Sequence, residues 1–193
     1  MQVRRSTLIL AFAAMTASTA LAGCGGGDSG GKKTVKIGFQ GPLSGDNAQL
    51  GINALDGAKV AIKQANDKGD LPYKLELVQS DDQGSADQGQ TAAQKLIDDG
   101  KVVAVVGPVF SGATKAAEPN LSAANLLSVT PSATNPGLTS LGFKTFFRLI
   151  PSDAAQGKGA ADYLAKGLQA KKVFSLDDKS EYGTGLSRCS RTS

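Results

Sequence analysis

The chain has 193 residues, 40% of them hydrophobic and 5% aromatic, with no tryptophan, no histidine and only two cysteines. The missing histidine excludes Ser-His-Asp and Cys-His nucleophile systems and every histidine metal site, and with them most hydrolase and metalloenzyme chemistry. The formal charge of +4 includes Arg4 and Arg5 near the start, and no Lys/Arg cluster with interleaved aromatics follows Lys33, which argues against a nucleic-acid partner.

Arg4 and Arg5 precede a mostly apolar run from Ser6 to Ser18, too short to cross a bilayer as a stable helix, and small residues then lead into Cys24. This is the layout of a secretory signal over residues 1–23. Its ending, Leu21-Ala22-Gly23-Cys24, resembles the lipobox of bacterial lipoproteins. That resemblance implies export, acylation of the Cys24 thiol, and anchoring at the periplasmic or outer face of a membrane. An ordinary signal peptide with a chance cysteine is the alternative. Residues 24–33, nearly all glycine from Gly25 to Gly31, form a flexible tether that cannot bury apolar surface. An acylated Cys24 also rules out an internal disulfide.

From Thr34 the pattern alternates strands and helices. Val35, Ile37 and Phe39 alternate with polar residues and predict a strand ending at Gln40-Gly41-Pro42. Leu55, Ala58, Ile62 and Ala65 recur at helical spacing, closed by Asn66-Asp67-Lys68-Gly69. Leu75 and Leu77 mark a second strand, stopped by Ser80-Asp81-Asp82. Ser85 with Gln88 forms a capping box for a helix carrying Ala92, Ala93, Leu96 and Ile97, with Gly100 past its end. Val102 to Val106 is a continuous apolar run, as expected of a parallel strand covered on both faces. Ser111 to Ala117 begins another helix, which Pro119 limits or restarts. Strands follow at Leu126–Val129 and at Phe146, Phe147 and Leu149, then a helix around Ala154–Leu168 and a strand at Val173–Leu176.

The βαβαβ order predicts an α/β fold, a doubly wound parallel sheet with right-handed crossovers. Ligands of such sheets bind at the carboxyl ends of the strands. Three segments rich in small polar residues fall there: Gln40 to Gly45, Gly107 to Thr114, and Thr130 to Pro136. Ser111 is placed to cap a helix, leaving neighbouring N–H groups at the positive end of the dipole for a carboxylate or phosphate. Taken singly, each segment reads better as a cap or a turn, as Ser111 and Thr134 do, and it is the three together at one edge that point to a ligand site.

Together with Ser80-Asp81-Asp82 and the run from Asp177 to Gly183, these segments resemble the periplasmic substrate-binding proteins of branched-chain amino-acid ABC importers, from about Thr34 to Leu186. The resemblance implies the type I periplasmic-binding-protein fold, two α/β lobes that close on a ligand. It implies no enzymatic activity and no cofactor. The partners it implies are an amino acid and an ABC permease, for a monomeric protein. Ser111, Ser132 and Thr134 match positions that hold the α-carboxylate and α-ammonium of the ligand, with Ala133 in the same loop. Tyr182 matches a second-lobe aromatic that packs on the ligand, and Leu50 stands where the family often has an aromatic at the pocket mouth. A zwitterion needs donors at one end, which Ser111 and Thr134 supply, and acceptors at the other, for which no acidic partner is identifiable. Asp81 and Asp82 are expected to orient the lobe edge. Some members tie the loops near Gly84 and Phe110 with two cysteines, and neither position is cysteine here.

On this resemblance the first ligand-binding lobe spans residues 34–147, a hinge segment 148–153 and the start of a second lobe 154–186. Ser187 to Ser193 lacks the apolar pattern of a continuing amphipathic helix, which predicts a truncated product with an aberrant tail. Forty residues are too few to bury a core of their own. The alternatives are a ligand-sensing or amide- or urea-binding protein of the same fold, or a non-functional fragment. A nucleotide role fits poorly, because Gly107 to Lys115 lacks the Gly-Lys-Ser/Thr ending of a phosphate-binding loop.

Overall fold

The computed structural model describes residues 32–191; the expected signal segment, the expected lipidation site Cys24 and the glycines of the expected tether lie outside the described residues. The elements in chain order are β1 (Lys33–Gly41), α1 (Ala48–Lys68), β2 (Tyr73–Asp81), α2 (Ala86–Asp98), β3 (Val102–Val106), α3 (Ser111–Ala123), β4 (Leu127–Thr130), a 3-10 turn (Pro136–Ser140), β5 (Phe146–Arg148), α4 (Asp153–Asp162) with a π-helical turn (Tyr163–Gly167), and α5 (Glu181–Arg191). All five strands pair in parallel, in the order β2-β1-β3-β4-β5. That order reverses direction between β1 and β3, the switch point of a doubly wound sheet.

The apolar spacing in the sequence builds both layers. Ala93 and Leu96 of α2 and Ala117 and Leu121 of α3 close on Val102 and Val105 from one face. Leu55 of α1 meets Phe39, with Leu77 and Val106 beside them, on the other. The ends follow local chemistry: α1 stops at Gly69 in the left-handed conformation, at φ 72°. Ser85 caps α2, although its hydroxyl accepts from the Asp87 N–H at 3.2 Å, and not from Gln88 as a capping box requires.

Four expectations change. β3 is not covered on both faces, since Val103 is half exposed. Phe39, Val106, Val129 and Phe147 are register partners and share the face that α1 packs on, yet Phe147 is 50% exposed. A helix about 10 Å wide covers only about two strands spaced ~4.8 Å apart, so α1 does not reach β4 and β5. Pro119 does not end α3, which runs on to Ala123, because buried Ala117 and Leu121 hold the helix on both sides of it. The strand expected at Val173–Leu176 does not form: residues 172–178 belong to no helix or strand. No strand among the described residues lies beside them, and an extended segment without a ladder partner gains no hydrogen bonds by becoming one. Finally, the helix does not stop where the apolar pattern does. α5 continues past Leu186 to Arg191, with Ser187 buried and its hydroxyl 2.8 Å from that of Ser175. Gly157 of α4 lets the α5 backbone approach closely, since a Cβ there would lie 2.7 Å from Ser190 N.

Candidate ligand-binding site

The loops after β3 and β4 are locked to one another at the carboxyl edge of the sheet. Thr130 Oγ1 donates to Pro108 O at 2.6 Å and accepts the N–H groups of Ser132 and Ala133 at 3.3 and 3.0 Å. Thr114 Oγ1, buried in α3, reaches the Pro108 and Phe110 carbonyls. The Asn135 N–H closes the ring by donating to Ser111 Oγ at 3.2 Å. Gly107 makes the turn out of β3 with φ 119°, and a Cβ there would stand 2.2 Å from Gln40 O. Only glycine fits that crossing.

Ser111 does not cap α3. Phe110 occupies the cap position with extended backbone and makes no side-chain capping bond, and Ser111 is the first helical residue. Its buried hydroxyl is turned to the β4 loop instead. The first N–H groups of a helix have no intrahelical partner, so Gly112 and Ala113 meet no side-chain acceptor at the positive end of this dipole.

Asp81 and Asp82 organise the neighbouring loops as expected. Asp81 accepts from the N–H groups of Leu43 and Gln83, each at 2.8 Å, and from the Ser44 hydroxyl. Burial pulls its carboxyl upward, but these donors outweigh that and hold it below the usual range. Asp82 is fully buried, and burial pushes its carboxyl up against the pull of the Gly84 N–H and Gln40. The Phe110 ring lies on Gly84, where a Cβ would meet it at 2.8 Å. An aromatic contact therefore joins the loops at Gly84 and Phe110.

The predicted site residues fall into three groups. Ser111, Ser132, Ala133 and Thr134 come together in the linked loops. Ser132 is exposed, whereas the Ala133 side chain packs with Leu138 and Phe146 and offers the site only its backbone. Thr134 Oγ1 is buried without a hydrogen-bond partner. Leu50 is 57% exposed in the first turn of α1, which follows β1 at the same sheet edge. Tyr182 is not among them: it lines an open groove of about 990 Å³ between α4, α5 and residues 173–178. Its hydroxyl accepts from Gln156 Nε2 at 3.2 Å.

Three residues had not been singled out. Asn135 donates from Nδ2 to Glu181 O at 2.8 Å and to its carboxylate at 3.3 Å. Glu181 in turn pairs with Lys115 at 3.1 Å, so the start of α5 docks on the rim of the linked loops. Asp153 is fully buried at the first position of α4, its N–H on Thr134 O at 2.9 Å. Helix-initiating Ser152-Asp153 and turn-forming Asn135-Pro136 look like ordinary punctuation in sequence, and only the register of the loops reveals their setting. Among the described residues there is no cluster able to hold a metal ion, and no helix long and apolar enough to cross a membrane.

A family described as periplasmic binding protein matches residues 34–192. An amino acid binding protein of Pseudomonas aeruginosa is 37% identical over 158 residues, which are 81% of this chain and 42% of that protein. The chain thus spans less than half the length of this relative. Among solved structures, the branched-chain amino acid transporter substrate binding protein LivJ from Streptococcus pneumoniae, in complex with isoleucine, aligns with a TM-score of 0.78 at 36% identity, over 83% of this chain and 46% of that one. A solute binding protein of an ABC transporter from Rhodopseudomonas palustris, in complex with 3,4-dihydroxybenzoic acid, aligns with a TM-score of 0.73 at 25% identity, over 82% and 43%.

Proposed function

The chain belongs to the periplasmic binding protein family, a family of solute-binding proteins and not of enzymes, and on that premise we propose that it captures a branched-chain or related neutral amino acid for an ABC importer. The observation that carries this reading is the start of α3, with no side-chain cap, facing the linked loop of Ser132 and Thr134. The Gly112 and Ala113 N–H groups and the helix dipole suit the ligand carboxylate, and Thr134 Oγ1 is free to turn to its ammonium. Leu50 stands at the mouth. Tyr182 would reach the ligand only by swinging out of the α4–α5 groove.

In this reading Cys24 carries the lipid that holds an exported protein at its membrane. The segment from Arg148 to Asp153 is the hinge, and ligand favours the closed arrangement by adding contacts that only that arrangement makes. The name of the isoleucine-bound neighbour supports the ligand class. A second reading rests on the neighbour holding 3,4-dihydroxybenzoic acid, a carboxylate without an amino group.

Thermal unfolding of the chain with and without isoleucine, leucine, valine and 3,4-dihydroxybenzoate separates the two. A ligand at about a hundredfold over its Kd adds ~2.7 kcal/mol to stability. The account expects a transition raised by the branched-chain amino acids and unmoved by the benzoate. The reverse result supports the second reading, and a transition that no ligand moves contradicts both.

A further inference from the structure

We propose that residues 172–178 form a docking strip for a second copy of this chain, the two strips pairing antiparallel about a two-fold axis at Ser175. Phe174 and Leu176 are 88% and 86% exposed, more than any other large hydrophobic side chain described. Single scattered exposures need no explanation, but these two are neighbours on one strip. Alternation along an extended chain puts Lys172, Phe174, Leu176 and Asp178 on one face, and all four are exposed. Ser175 and Asp177 on the other face are half-buried, and the Ser175 hydroxyl lies 2.8 Å from that of Ser187 in α5. The backbone of residues 172–178 bonds to no other backbone group among the described residues.

The strip carries its own complement. With the axis at Ser175, Phe174 of each copy lies opposite Leu176 of the other, and Lys172 lies opposite Asp178. An apolar centre is then closed at both ends by opposite charges, and such cross-strand pairs stabilise neighbouring strands. Moving the axis by one residue breaks the match. At Phe174 it sets Lys172 against Leu176, and at Leu176 it sets Phe174 against Asp178. Both charges are available: Lys172 makes no ion pair among the described residues, and Asp178 bonds only within its own turn, to the Ser180 N–H at 2.9 Å.

The backbone agrees on which edge is open. Ser175 O accepts from Arg191 Nη2 at 3.4 Å, so that edge is turned to α5. Backbone groups of successive residues in an extended chain point to opposite edges, which leaves those of Phe174 and Leu176 for the second copy. A two-fold pair uses each open edge once, so association stops at two copies. One short strand a side is a small interface, and single copies prevail in dilute solution. Where the family resemblance implies a monomer, the strip predicts a concentration-dependent pair.

The test is sedimentation equilibrium of the full chain, of Lys172→Asp and of Asp178→Lys, at concentrations up to ~1 mM. The wild-type chain is expected to pass from one copy to two as concentration rises. Either substitution sets like charges against each other at both ends of the pair, and should weaken association about tenfold. Mixing the two variants restores opposite charges at both ends, and the mixture is expected to associate as wild type does. A wild-type chain that stays single overturns the proposal, and so do variants that pair as tightly as wild type, because the contact then lies elsewhere. A mixture that pairs no better than its components overturns it too. Should a variant not fold, carbodiimide coupling of mixed labelled and unlabelled wild-type chains serves instead. An amide joining Lys172 of one chain to Asp178 of the other is expected, the carbodiimide taking up the water released, and its absence counts against the strip.

Discussion

Phe39 and Phe174 are the same side chain in opposite circumstances. Phe39 lies on a strand between two parallel neighbours and is 0% exposed; Phe174 lies in an extended run with no neighbouring strand and is 88% exposed. The contrast holds for the regions around them. Up to β5 the chain buries a continuous set of apolar residues, whereas beyond Phe146 no hydrophobic side chain among the described residues is buried. Val173–Leu176 has the composition of a core strand, and composition alone did not make it one. A strand is a property of a pair, and the pairing here ends at β5.

The largest effect that sharpens this contrast is expected at Phe39. Phe39→Ala should cost about 3–5 kcal/mol in urea unfolding, the range for emptying a packed aromatic site. A loss below ~1 kcal/mol would mean that the β1 core is not the stabilising centre.

Next in size is Glu118, buried in α3 with a single bond, from the Ser128 hydroxyl at 2.6 Å. Burial pushes its carboxyl up from 4.5 to about 7, against the pull of that hydroxyl. A raised carboxyl favours the neutral form in the folded chain. Its stabilisation is fully present below pH ~4.5 and is lost as pH rises through about 7, an effect of about 3 kcal/mol in all. Unfolding followed from pH 4.5 to 8 should therefore show declining stability, and Glu118→Gln should flatten the decline. A slope that survives this substitution assigns the effect to another group. The smallest effect belongs to Phe174→Ser, expected in dilute solution within ~0.5 kcal/mol of wild type because the ring of a single copy is solvated already. A large destabilisation there would show that residues 172–178 carry packing energy after all.

Much of the sheet was legible because its signals are local. Alternation gave β1, the three- and four-residue spacing gave α1 and α2, and Gly69 and Ser85 marked ends that they do mark. The candidate site was legible only as a set of strand-end loops, in which the Asn135 N–H, next to Thr134, bonds the Ser111 hydroxyl. The cap was misassigned because residue preference favours serine, while the extended backbone required at the cap falls on Phe110, whose ring is held against Gly84. Glu118 was findable: it lies four residues after Thr114, on the buried side of α3. Asp153 was not, because an aspartate opening a helix after serine is an ordinary sequence, and its burial depends on α5 lying 32 residues onward.

The measurement that tests the central claim most directly is the backbone amide spectrum of the isotopically labelled chain during titration with L-isoleucine. The account predicts that the amides of Gly112, Ala113 and Thr134 shift together and saturate at one ligand concentration. Shifts confined to residues lining the groove between α4 and α5, or no shift at high isoleucine, would contradict it.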